Sequence, residues 1–161
     1  MAAVDYFLKL KGIDGESQDS KHKNEIDVES WSWGETNSGT HAGGGGGGAG
    51  KVSMQDFHFV MKVNQASPKL MLACATGEHI AEAKLTCRKA GKEQQEYYTY
   101  KFTDLMVASY QTGGSLGDVV PSDQISLNFA KIEMEYKPQK PDGSLGGSVA
   151  AGFNLKTNVK V

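Results

Sequence analysis

The residues that could do chemistry begin with a glycine run. In HAGGGGGGAGK (residues 41–51), Gly45, four further residues, Gly50 and Lys51 fall one residue short of a phosphate-cradling loop. Such a loop needs a strand entering, a helix leaving and a Ser or Thr after the lysine to hold magnesium. Here Val52 follows the lysine, and Phe57, Phe59, Met61 and Val63 then alternate with period two, so a strand leaves the loop. Nucleotide binding is excluded on that ground. His22, His41, His58 and His79 are scattered without Cys or carboxylate partners at ligand spacing, which argues against a metal site. Glu16, Asp19 and Glu25 flank His22 in a lysine-rich stretch that reads as a solvated turn rather than acid–base machinery. TGGSLGD (112–118) lacks the second glycine that a nucleophile elbow requires. The expectation is a chain that is not an enzyme and uses no cofactor.

The elements that hold these residues are strands. Val4–Leu10, 25–33, 55–63 and 81–89 are strand-like, and Tyr98, Tyr100 and Phe102 alternate with Thr99, Lys101 and Thr103. Ile125, Leu127 and Phe129 keep one phase, Ile132, Met134 and Tyr136 the other; the flip near Ala130 predicts a bulge or a bend at a barrel corner. Residues 151–161 alternate throughout and read as one strand with one wet face. One segment differs: SPKLMLACATG has Ser67 as N-cap, Pro68 at the first helical position and Gly77 just past the end, giving a helix over 68–76. So short a helix depends on packing, against the barrel or another subunit. Seven or so strands and one helix predict an all-β sandwich or barrel in a single domain, residues 1–161, with loops at 12–24, 34–50, 113–121 and 137–148.

Charge narrows the partners. The formal net charge is -2, and of 17 basic residues only Arg88 is an arginine, so nothing favours nucleic acid or an acidic membrane. Cys74 and Cys87 lie in apolar surroundings and read as buried reduced thiols. The N-terminus has no signal-peptide pattern and no run approaches membrane-spanning length, so the expected route is cytoplasmic synthesis followed, if the protein leaves, by export of the folded object.

Three features are left without chemistry. Ordering six consecutive glycines costs much backbone entropy, so an ordered loop needs contacts from outside the monomer; a disordered surface loop is the other reading. Trp31 and Trp33 share one strand face, either packing inward or anchoring a neighbour. Ser30 and Ser32 face the opposite way.

Taken in order, DYFLKLKGIDGES, EIDVESWSWG, GGGGGGAGKV ending in QDFHF, SPKLMLACATG, AKLTCRKAG, LNFAKIEMEYKPQKPDG and GFNLKTNV resemble the Hcp family, the tube proteins of bacterial type VI secretion, over nearly the whole chain. The resemblance implies a β-barrel of two sheets flanked by one short α-helix, homohexameric rings stacked into a tube, a surrounding sheath and a tip spike, export with the tube, and effector proteins carried in the lumen. It gives the long loop a task, with Gly44, Gly45, Gly46, Gly47 and Gly48 contacting a neighbouring subunit or ring, Trp33 and Lys51 anchoring the loop ends, and Leu70 of the helix as a second contact. Ser30 and Ser32 are then candidates for the channel wall. The competing expectation is a monomeric β-barrel holding an apolar or sugar ligand inside.

Overall fold

The computed structural model describes residues 4–39, 51–89 and 94–161. Among them are eleven strands and one helix: β1 (Val4–Leu10), β2 (Ile26–Asp27), β3 (Ser30–Ser32), β4 (Glu35–Asn37), β5 (Val52–Met54), β6 (Phe57–Lys62), α1 (Ala66–Thr76), β7 (His79–Lys89), β8 (Gln95–Gly113), β9 (Ser122–Tyr136), β10 (Val149–Asn154) and β11 (Val159–Lys160). Every pairing is antiparallel.

The long β8–β9 hairpin organises the rest. The first part of β8 pairs with β7, which leads on through β1 to β2. On the far side of β9, its first half pairs with β6 and its second half with β10. The phase flip expected near Ala130 is present, and both strands make it together. Phe102 and Ile132 are buried opposite each other, and so are Leu105 and Phe129. Between them Asp104 takes a left-handed φ of 53°. Asp104 and Ala130 drop out of the ladder but the register is unchanged across them, so the feature is a bend, and the register shift lies instead between Val107 and Ser109. At the bend the sheet turns over the core: Phe57 of β6 meets Phe102 of β8 with ring centroids 4.8 Å apart.

Nine strands thus form one continuous sheet folded over, rather than two separate sheets, with β4–β5 a small ribbon of its own. The ladder does not close into a ring. The run from Ile26 to Ser32 touches both free edges in turn: β2 pairs with β1 and β3 with β6. At the break Val28 N–H donates to the Tyr6 carbonyl, and Glu29 N–H to that of Val60.

Two local readings are corrected. Ser67 is not the N-cap: the helix begins two residues earlier than expected, at Ala66 after Gln65, and the Asn64 side chain accepts from Ala66 N–H. Ser67 is buried and donates to Asp123, fixing the helix to β9. The last eleven residues are a hairpin, not one strand. The Asn154 side chain accepts from the amides of Lys156 and Thr157, and Asn158 takes a φ of 57°, so the chain reverses between β10 and β11.

The turn around His22 is also more than a solvated loop. Phe7, on the outer face of β1, is covered by the His22 ring at 4.4 Å and by Arg88 at 4.7 Å. Arg88 is 2% exposed, binds both oxygens of Asp19 (3.0 and 2.6 Å) and reaches Asp5 at 3.1 Å. His22 lies between Glu25 (2.9 Å) and Glu96 (2.6 Å). The chain's one arginine therefore pins a loop over the barrel's back. The alternation pattern cannot show this, because Phe7 and Leu8 are both buried on opposite faces.

Candidate functional site

Ser30 and Ser32 are exposed on β3, on the face opposite the half-buried Trp31. Reading across the register, Ser32 lies beside His58, His58 beside Ser126 and Ser126 beside Ser109. The adjacent row is Ser30, Val60, Gln124 and Gln111. His58 Nδ1 is 3.2 Å from Ser126 Oγ. Lys62 and Asp56 lie beyond these rows at opposite ends, so the middle of the face is polar apart from Val60 and free of carboxylates and ammonium groups. Its other side is the core, with Phe57, Phe59, Ile125 and Leu127 fully buried. Ser109, Gln111, Gln124 and Ser126 were not singled out from the sequence. Their signal was present in β9, where polar residues occupy the places between Ile125, Leu127 and Phe129.

This four-stranded patch, β3–β6–β9–β8, has two unpaired edges among the described residues. β3 pairs only with β6, and β8 beyond Met106 pairs only with β9. Free edges of this kind present rows of backbone donors and acceptors to another strand.

The other predicted contacts fare differently. Gly44, Gly45, Gly46, Gly47 and Gly48 lie outside the described residues. Trp33 and Lys51 stand where the long loop leaves and returns, and β4 pairing with β5 (Asn37 opposite Val52) brings the two ends together. Leu70 offers no surface to a neighbour: it is 0% exposed within the chain's own core, because the helix turns Ala66, Leu70 and Ala73 inward. The apolar residues the helix leaves out are Met71 (52% exposed) and Leu72 (57%).

Trp33 packs on Tyr100 at 6.2 Å and forms one wall of an open cleft of about 540 Å³. Val52, Met54, Ile132, Met134, Ala151 and Phe153 add to its apolar lining, and Glu35 and Asn37 form its polar edge. The core inside the folded sheet is filled by Phe57, Phe59, Phe102, Leu85 and Leu127, which does not favour the monomeric alternative with a ligand inside.

The Arg88 guanidinium holds Asp19 well below the usual carboxylate range, and Asp19 in turn raises Arg88. Burial pushes the Cys87 thiol up to about 12. Cys74 and Cys87 are both free. Among the described residues no three His, Cys, Asp or Glu side chains gather as a metal would need, and no helix is long and apolar enough to cross a membrane.

Known proteins share this geometry. The family model for the type VI secretion system effector Hcp matches residues 7–136. Protein hcp1 of Pseudomonas aeruginosa is 49% identical over 160 residues, covering 98% of this chain and 99% of its own. The crystal structure of Hcp1 from Salmonella typhimurium superposes with a TM-score of 0.82 at 39% identity, covering 99% of this chain and 100% of that one. A solved type six secretion system protein reaches a TM-score of 0.93 at 33% identity over 99% and 100% of the two chains. With an alternating-strand fold, one short helix and a relative matched from end to end, the chain belongs to the Hcp family, the tube proteins of type VI secretion.

Proposed function

We propose that six copies of this chain close into a ring, that rings stack into the secretion tube, and that the Ser32–His58–Ser126–Ser109 face lines its channel. The observation that carries this reading is the four-stranded patch with two free edges and one polar, sparsely charged face. β3 and β8 run in opposite directions, so the β3 edge of one copy can pair with residues 107–113 of β8 in the next. The contact is head-to-tail, and a head-to-tail contact repeated through a rotation of one sixth of a turn closes a six-membered ring. The polar rows of successive copies then join into one wall. Short hydroxyl and amide side chains suit such a wall, because they stay wetted and form no strong ion pairs with a passing protein.

In this reading the tube assembles in the cytoplasm inside a contractile sheath, carries a spike at its tip and leaves the cell with its effectors. The chain acts as a structural subunit, without catalysis. The long loop, with Trp33 and Lys51 at its base, reaches a neighbouring subunit or ring. Replacing Gly44 to Gly48 by alternating Ala and Ser then leaves folded protein and weakens tube assembly.

The channel wall is tested by crowding it. Ser32→Gln and Ser126→Gln each place a longer amide on the polar face without charge. Rings of both variants are expected to form while retaining less effector in a pull-down from the producing cell. Undiminished retention of every effector recovered with the wild type would remove Ser32 and Ser126 from the channel.

A further inference from the structure

The β8–β9 hairpin ends in an apolar tip that stands exposed among the described residues. Leu116 is 109% exposed and Val119 98%, while the turn is held by Asp118, whose carboxylate accepts from Ser115 N–H. Two aliphatic side chains fully in water on a projecting turn suit a contact with another surface. The same chain carries a matching one. The cleft beside Trp33, walled by Met54, Met134, Ala151 and Phe153, is apolar, open and roomy enough at about 540 Å³ for two aliphatic side chains.

The two features lie at opposite ends of the molecule. The tip precedes the start of β9, and the cleft takes Ile132 and Met134 from its second half. Ten residues of strand separate Ser122 from Ile132, roughly 33 Å at about 3.3 Å each. β3 runs in the direction of β9, so Trp33, just beyond the end of β3, lies toward the cleft end as well. A knob at one end and a socket at the other cannot meet within one copy. Between copies they form a contact that repeats indefinitely.

We infer that the Leu116–Val119 tip of one copy seats in the Trp33 cleft of a second copy, end to end. The inference rests on the tube reading and names the contact that stacks its rings. Several such contacts act together between two rings, so each can be weak alone.

Two variants test it. Leu116→Ser with Val119→Ser changes only solvent-exposed positions, and is expected to give single rings under conditions where the wild type stacks. In a Cys74→Ser background, Leu116→Cys combined with Ala151→Cys is expected to give, on oxidation, a ladder of cross-linked species, with neither single cysteine doing so. Wild type that stacks while the Leu116/Val119 variant stacks equally well, or while the paired cysteines give no ladder, overturns the inference and leaves the tube reading standing. A small apolar compound recovered in the cleft by native mass spectrometry, without a ladder, also overturns it. A ladder from protein that never forms rings supports the end-to-end contact and removes the tube reading instead.

Discussion

Arg88 shows how much one side chain can organise. It lies inside the folded chain, and its fork holds Asp19 and Asp5 against the outer face of β1 and β7. Arg88→Gln leaves two carboxylates without their cation. Because both reach solvent, the expected loss is toward the lower end for a broken buried pair, about 3 kcal/mol by urea unfolding. The acid dependence follows from the sign of the shift. Asp19 is depressed below its ordinary 3.8, so its contribution is present above that pH and is lost as pH falls through the lower folded value. Asp27 behaves oppositely: desolvation, with Asp5 and Asp19 nearby, raises it. Asp27→Asn should therefore stabilise the protein at neutral pH, by less than about 1 kcal/mol because the side chain reaches water. The gain should vanish in acid, where the native carboxyl is already neutral; a gain that persists there contradicts the assignment. Cys87, 1% exposed and with its thiol pushed up to about 12, should resist iodoacetamide in the folded protein, while Cys74 is labelled.

At the scale of elements the helix is the informative case. Its existence was legible from Pro68, the apolar run and Gly77, and Gly77 does take the left-handed φ of 69° that ends it. Only Met106 comes near the position a Cβ would occupy there, at 3.8 Å, so Gly77→Ala should cost about 1 kcal/mol from backbone conformation rather than crowding. What the pattern could not resolve was which of Leu70, Met71 and Leu72 faces inward, because the segment is apolar around most of its circumference. Leu70→Ala should cost about 2–5 kcal/mol. Leu72→Ser should change unfolding by no more than about 0.5 kcal/mol, so any effect on assembly would report a contact outside the chain. Strands were legible where period two was long, as in β1 and β9, and so was the bend of β9 near Ala130; of β8 only residues 98–103 were legible, and its matching bend at Asp104 was not. The β10–β11 reversal was not, since alternation continues across it and only the Asn154 and Asn158 geometry reveals the turn. The pinned loop over Phe7 was hidden for a similar reason: its partners, Arg88 and Glu96, are about 70 residues away in sequence.

The whole molecule keeps its unsatisfied features at its margins. The edges of β3 and β8, the Leu116–Val119 tip, the Trp33 cleft and the outer face of the helix all lack partners within one copy among the described residues. The core, by contrast, is filled with aromatic and aliphatic side chains. In the proposed ring those margins meet copies of the chain, and the polar face of the four-stranded patch faces inward. Ser30 and Ser32 were legible as wet positions on a strand, whereas the rows they belong to depend on register with β6, β9 and β8. Negative-stain electron microscopy of the purified chain tests this most directly. The account predicts six-fold rings with an open centre; a field of featureless particles the size of a single 17.3 kDa subunit would contradict it.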